Sequence, residues 1–267
     1  MVIDFHTHVF PSTMAAKTLD KLSAGAGITP YTNGTVEGLK CSMKKAGIDF
    51  SVTLPVATRP GQARTIADYA VQVTGKDGII SFGSIHPASD NWRAELNYIA
   101  KAGLKGVKLH PDYQRFFIDD KKIFPIVEHA ASLGLMVLFH SGIDIGLADP
   151  VHCRPKAARK LIDSMRGAKL IFAHTGGYGC WDEVEDYLVG ADIYFDISFT
   201  FKRLTDERLM RIIRAHGVNK CLFGTDSPWG SQQHDILYMK SMDFTKDELD
   251  AIMYNNAAQL LGIGKTI

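Results

Sequence analysis

The chain has 267 residues, 46% of them apolar and 22% charged, and its 30 lysines and arginines nearly balance 29 aspartates and glutamates. A net charge of +1 gives no field that would gather nucleic acid or an anionic membrane, and the composition is that of an ordinary soluble globular protein. No apolar run approaches a membrane span, and an apolar strand pattern starts at residue 2, so an export signal is not expected. Cys41, Cys153, Cys180 and Cys221 are scattered without a C-x-x-C pair, which fits reduced thiols and a cytoplasmic location. The expected partner is a small molecule, and the composition is compatible with a homo-oligomer.

Eight short apolar runs follow one another at residues 2–5, 51–54, 79–85, 106–109, 135–139, 170–173, 193–197 and 221–224. Most are β-branched or aromatic and end in Gly, Pro, Ser or Asp, as strands entering loops do. The first is followed by a longer connection. Residues 11–34 should add a helix and a Gly/Pro-containing loop over the mouth, before a helix at 36–46. Apolar residues at three-to-four spacing predict helices at 63–73, 92–102, 121–133 and 155–165. Gly103, Gly134, Gly167 and Gly217 stand where helix C-caps belong. A last helical segment, 245–261, opens with Thr245 as N-cap and Glu248 three residues on.

Strands alternating with helices give a parallel sheet, and eight such units close into a (β/α)8 TIM barrel, here a single domain over residues 1–267. The competing open doubly wound sheet needs a glycine-rich phosphate loop after strand one. This chain has His-Thr-His-Val-Phe-Pro there, so the open sheet is rejected.

The chemistry sits at the ends of the strands. His6 and His8 follow the first apolar run one residue apart, so both side chains can reach one metal ion. His140 ends strand five before Ser141-Gly142, His174 ends strand six before Thr-Gly-Gly, and Asp226 ends strand eight. A lone histidine usually reads as a hydrogen-bonded core or surface residue; five such groups at matching strand ends point to a metal-centred site. His174 is either a further ligand or a group that handles protons beside the metal.

Strand four is ambiguous. Lys108 and His110 share one side, where Lys108 can serve as a cation, as a carbamate bridging two metals, or as the partner of a neighbouring carboxylate. His110 lies nearer the mouth, within reach of substrate or a second metal. Among loop residues, Arg59 is a candidate for binding a substrate carboxylate. Tyr113, Gln114, Phe116, Trp181 and Trp229 are candidates for lining a pocket, and His86 for facing the mouth or capping a turn. Asp4, on the side of His6 and His8 by strict alternation, is expected to support those ligands.

With these residues in place the chain resembles the amidohydrolase superfamily, and within it the amidohydrolase-related branch of small metal-dependent hydrolases and non-oxidative decarboxylases. The resemblance is carried by Asp4-Phe5-His6-Thr7-His8, Val107-Lys108-Leu109-His110-Pro111, Phe139-His140-Ser141-Gly142 and Ala173-His174-Thr175-Gly176-Gly177. It continues through Phe223-Gly224-Thr225-Asp226-Ser227-Pro228 and Tyr254-Asn255-Asn256-Ala257-Ala258-Gln259-Leu260-Leu261, and so spans nearly the whole chain. It implies a (β/α)8 fold, His6, His8, His140 and Asp226 as metal ligands, and His174 as an acid/base beside the metal. Related nucleases with a glutamate on strand four are disfavoured. Dinuclear relatives with a carbamylated lysine there leave Lys108, with His110 and His174, open as a second-metal or substrate site.

The expected cofactor is one divalent metal, zinc first and manganese as the alternative, with a second metal left open. The leading expectation is hydrolysis of a small amide, lactone or other ester, with an acid as the expected substrate, Asp226 taking the proton of a metal-activated water and His174 orienting the reactants. The rival is decarboxylation of a small aromatic or enolic acid by the same residues. A third reading, from another class, is a barrel that binds a metabolite or metal without turnover.

Overall fold

A computed structural model of the protein describes residues 1–147 and 149–264. Its strands are β1 (Ile3–Thr7), β2 (Phe50–Thr53), β3 (Ile79–Ser81), β4 (Gly106–Leu109), β5 (Met136–Phe139), β6 (Leu170–Phe172), β7 (Tyr194–Asp196) and β8 (Cys221–Leu222). Between them run α1 (Ser12–Ala26), α2 (Val36–Ala46), α3 (Ala63–Val73), α4 (Trp92–Lys101), α5 (Pro111–Gln114) and α6 (Ile123–Ser132). The second half adds α7 (Pro155–Ser164), α8 (Trp181–Tyr187), α9 (Asp206–His216), α10 (Gln232–Ser241), α11 (Lys246–Asp250) and α12 (Asn256–Leu261). The four-residue α5 was not legible in the sequence; Pro111 at its first turn and the His110 imidazole as its cap create it.

All strand pairs are parallel, in two ladders ordered β1-β2-β3 and β4-β5-β6-β7-β8. Backbone hydrogen bonds join the ladders at both edges. Gly83 N–H donates to Gly106 O and Lys108 N–H to Gly83 O at one edge, both at 2.9 Å. At the other, Phe5 N–H donates to Phe223 O and Asp226 N–H to His6 O, both at 2.8 Å. The ring therefore closes, as a TIM barrel requires.

The helix boundaries have local causes. Thr35 caps α2 by accepting from Gly38 N–H, and Thr205 caps α9 by accepting from Arg208 N–H. Thr245 and Glu248 form the expected reciprocal capping box at α11, and a π-helical turn at Ala251–Asn255 leads into α12. That turn is anchored, because Phe223 N–H of the β8 end donates to Ile252 O at 2.9 Å. Gly103, Gly134, Gly167 and Gly217 all adopt positive φ just past helices, as their placement predicts.

Alternation along the strands separates two apolar layers. Val107, Leu109, Val137, Phe139, Leu170 and Phe172 pack outward against the helices. Phe5, Val52, Phe82, Leu138, Ile171 and Leu222 pack inward as one cluster that also includes Leu260 and Leu261 of α12. At roughly 25 cal/mol per Å² of apolar surface removed from water, these two layers are the main stabilising contribution to the fold.

The first strand breaks its own alternation. Asp4 pairs with Ser51 and Thr7 with Thr53, so three steps on β1 oppose two on β2. This extra residue is a β-bulge, and it re-aims every side chain beyond it. Ile3 and Phe5 pack inward by alternation, and the bulge lets His6 and His8 reach the mouth as well. Asp4 does not join them. Its carboxylate accepts from Thr225 N–H (3.0 Å), Thr225 Oγ1 (2.6 Å) and Gln232 Nε2 (2.8 Å) of α10. Asp4 is thus not on the side of the imidazoles as expected: it supports His6 only by accepting its backbone N–H at 3.3 Å, and otherwise ties β1 to β8 and α10. Burial pushes its carboxyl up to about 7, and the donors around it pull the other way.

Candidate functional site

The strand ends meet at the carboxyl-terminal mouth of the barrel. His6 Nε2 and His8 Nε2 lie 3.2 Å apart, and Asp226 Oδ1 lies 3.3 Å from the first and 3.1 Å from the second. The far nitrogens of both rings are spoken for. His8 Nδ1–H donates to Leu54 O at 2.8 Å, and His6 Nδ1–H donates to Asp196 Oδ2 at 2.9 Å. With both protons on Nδ1, two Nε2 lone pairs and a carboxylate oxygen face one another, an arrangement that repels itself unless a cation sits among them. The donor set therefore fits a divalent metal of the zinc or manganese type.

Electrostatics agree with this protonation. Burial pushes His6 down to about 4, helped by Lys108 and opposed by Asp196 and Asp226, so the ring is neutral at pH 7. Asp226 faces these two rings with its carboxylate from the turn after β8. Its backbone is left-handed, with φ of 62°, as are those of His174 (59°), Thr175 (54°) and Phe199 (55°). Non-glycine residues seldom adopt this conformation, which costs on the order of 1–3 kcal/mol each, and here they cluster at the mouth.

His140 does not fall within this trio: its donor atom groups with those of His110 and Asp144, and its ring contacts His174. Its Nδ1 is 3.1 Å from His174 Nε2, and its Nε2 is buried with no hydrogen-bond partner among the described residues. Burial and the neighbouring imidazoles hold His140 well below its ordinary pKa. Its ring stacks on His110 at 4.1 Å and 8°, and His110 in turn stacks on Tyr113 at 4.1 Å. His174 reaches the site because its left-handed backbone turns the side chain off the β6 alternation, in which Ile171 and Ala173 point inward.

Lys108 is buried, and its Nζ stands 3.5 Å from His6 Nε2. No carboxylate of the described residues lies within ion-pair distance of it, so the paired-lysine alternative is not realised. Burial pushes its amine down to about 8, opposed by Asp196 and Asp226. His110 uses both nitrogens: Nε2 faces Asp144 Oδ2 at 3.2 Å, and Nδ1 accepts from Tyr113 N–H at 3.4 Å.

The loop candidates separate. Trp181 Nε1–H donates to His174 O at 3.3 Å and its ring meets Tyr178, which itself faces Phe199, so an aromatic group borders His174. Trp229 is half-buried in the turn after Asp226, with its N–H donating to Asp226 O. Arg59 is exposed after β2, where its N–H donates to Gln62 Oε1. Gln114 is a brace: its Nε2 donates to Ala57 O and Ile85 O while its Oε1 accepts from His110 N–H. Phe116 is buried in the outer core, and His86 Nδ1 accepts from Ala88 N–H in a turn.

Three residues escaped the sequence reading. Asp196 and Ser198 at the end of β7 touch both His6 and His174, and Asp144 on the loop after β5 faces His110. A signal for Asp196 was present: an aspartate inside an apolar strand needs a partner. Asp144 is held in reach by a tight crossing of the loops after β5 and β6. There a Cβ on Gly142, whose φ is +84°, would lie 2.2 Å from Tyr178 N.

The fold and site together define a closed parallel barrel with a cluster of imidazoles and carboxylates at its mouth. The chain belongs to the amidohydrolase family, whose sequence model matches residues 3–263. Among solved structures it is similar to a TIM-barrel protein of uncharacterised function from Bordetella bronchiseptica, at 17% identity and a TM-score of 0.79, covering 98% of each chain. A dihydroxybenzoic acid decarboxylase from Polaromonas, solved with manganese and the inhibitor 2-nitroresorcinol, matches at 17% identity and a TM-score of 0.74, covering 98% of this chain and 96% of the other. A candidate 2-pyrone-4,6-dicarboxylic acid hydrolase from Pseudomonas putida matches at 14% identity and a TM-score of 0.69, covering 98% of this chain and 97% of that one. No curated protein matches the sequence significantly. Among the described residues no helix is long and apolar enough to cross a membrane.

Proposed function

We propose that the protein is a metal-dependent hydrolase acting on an amide, lactone or other ester bond of a small carboxylic acid. The observation that carries this reading is the placement of Asp226. Its Oδ1 faces both Nε2 atoms, its Oδ2 takes no hydrogen bond from any described residue, and its side chain is 12% exposed at the mouth. His6, His8 and Asp226, joined by His140 through its unpartnered Nε2, would hold the ion. A bound divalent ion acidifies water and polarises a carbonyl.

The remaining work falls to the chain's own groups. Asp226 Oδ2 takes the proton of the attacking water and returns it to the leaving group. Lys108 supplies a buried positive charge beside His6, to which a substrate carboxylate is drawn. Arg59 offers a second anion contact from the rim, and Tyr113, Trp181 and Trp229 supply apolar walls. His174 borders the reacting group and acts on it through His140. Zinc suits the donor set, and the manganese of the Polaromonas neighbour supports that ion as the alternative.

Decarboxylation is the second reading, favoured by the aromatic group of Tyr178, Trp181 and Phe199 beside His174, which suits a flat ring. Purified protein loaded with zinc or manganese should be offered lactones, esters, amides and resorcylate- or muconate-type acids, with acid formation and carbon dioxide release followed together. Acid formation without carbon dioxide is the expected result. Loss of carbon dioxide from an aromatic or enolic acid, with no ester or amide cleaved, overturns the hydrolase reading.

A further inference from the structure

Strand β7 gives no residue to the proposed ligand set, yet its end carries a carboxylate that governs two imidazoles. Asp196 is fully buried. Its Oδ2 lies 2.9 Å from His6 Nδ1, and its Oδ1 accepts the amide N–H groups of His174 (3.3 Å) and Ser198 (3.1 Å) as well as the Ser198 hydroxyl. With its single proton committed to Asp196, Ser198 Oγ presents only lone pairs elsewhere. It does so to two rings at once, 3.1 Å from His6 Nδ1 and 3.0 Å from His174 Nδ1. The other neighbour of His174 Nδ1 is Ser198 O at 3.1 Å, again an acceptor.

Among the described residues every partner of these two Nδ1 atoms is thus an acceptor, so both nitrogens must carry their protons. His174 Nε2 is then a bare lone pair. His140 Nδ1, 3.1 Å away, has to donate to it, which leaves His140 Nε2 without a proton. That is the atom found buried without a partner.

We infer that Asp196 and Ser198 are a positioning pair that sets the Nδ1–H tautomer of His6 directly and of His140 through His174, leaving Nε2 of His6 and His140 free for a cation. The inference takes its purpose from the metal-centre reading above, but its test does not depend on it. One buried node on β7 would coordinate imidazoles carried by β1, β5 and β6, so that the donor atoms are set before the ion arrives.

The test uses metal-free protein labelled with ¹⁵N-histidine, in which long-range ¹H–¹⁵N spectra distinguish a proton on Nδ1 from one on Nε2. His6, His140 and His174 should all carry Nδ1–H in the wild type. Asp196→Asn should convert part of His6 to Nε2–H and weaken Co(II) binding, read by chelator competition, by about 10- to 100-fold. Ser198→Ala should shift His174 and His140 and weaken Co(II) binding less, and Ser198→Thr, which keeps the hydroxyl, should restore both readouts. Nε2–H on His6 or His174 in the wild type overturns the inference, as do tautomers unmoved in both Asp196→Asn and Ser198→Ala. Should Asp196→Asn fail to fold, the two Ser198 variants decide alone. Wild-type tautomers as assigned, with no Co(II) bound, uphold the inference while removing the proposed function.

Discussion

The interior of the barrel is two layers with opposite properties, built by the same strands. Two residues below His140 on β5 lies Leu138, and four below Asp226 on β8 lies Leu222, both part of the dry inner cluster. In the lower layer, packing is the only requirement, and each group stabilises the fold. In the upper layer, imidazoles, carboxylates and an amine are gathered without full mutual satisfaction: among the described residues His140 Nε2 lacks a partner, Lys108 lacks a carboxylate, and four left-handed backbones stand at the mouth. Stability is therefore concentrated below and chemistry above, and the upper layer is costly to the fold.

The sharpest way to break that division is Asp226→Asn. Turnover on any substrate found should drop about 10³-fold while the melting temperature hardly moves, because a proton acceptor is lost and the shape is kept. Retained rate would mean that Asp226 is not the base; unchanged ligand binding with no turnover in the wild type would mark a binding protein. Metal content by inductively coupled plasma mass spectrometry comes next. The wild type should hold about one zinc or manganese per chain and His6→Ala and Asp226→Ala close to none. About two per chain would bring Lys108 or His110 into the coordination sphere.

A paired truncation on β5 sharpens the contrast further. Leu138→Ala should cost about 2–5 kcal/mol in urea unfolding of the metal-free protein, whereas His140→Ala, two residues along, should cost about 1 kcal/mol or less and abolish turnover. Similar costs for the two would contradict the division into layers.

The smallest effect lies outside the barrel. His216 of α9 stacks on Phe195 at 3.8 Å and donates from Nε2 to Ile193 O, and burial pushes its pKa from 6.5 down to about 4. The unfolded chain therefore binds the proton more readily. The contribution of His216 is complete above pH 6.5, declines as pH falls toward 4, and is flat below that. Across that window the wild type should lose about 3 kcal/mol that a His216→Gln variant does not lose, as read by urea midpoints at a series of pH values.

Much of this molecule was legible in the chain. The helix at 63–73 and the capping box at Thr245 and Glu248 appear as read, because apolar spacing and caps are local properties. His6, His8 and Asp226 meet as their strand ends implied, since a parallel barrel gathers every strand end at one mouth. The placement of Asp4 was misread for a physical reason. Alternation has a period of two only while the ladder is regular, and whether a bulge falls between Asp4 and Thr7 is decided by pairing with β2, more than forty residues away.

The elements, their order and the identity of the groups at the strand ends follow from spacing along one chain and are readable without coordinates. Only the tertiary structure decided which groups face one another. The bulge that turns Asp4 toward α10, the left-handed backbone that brings His174 into the site, and the Asp196–Ser198 pair beneath His6 all depend on contacts between remote strands. Distances in three dimensions set hydrogen bonds and proton positions, and no local periodicity encodes them.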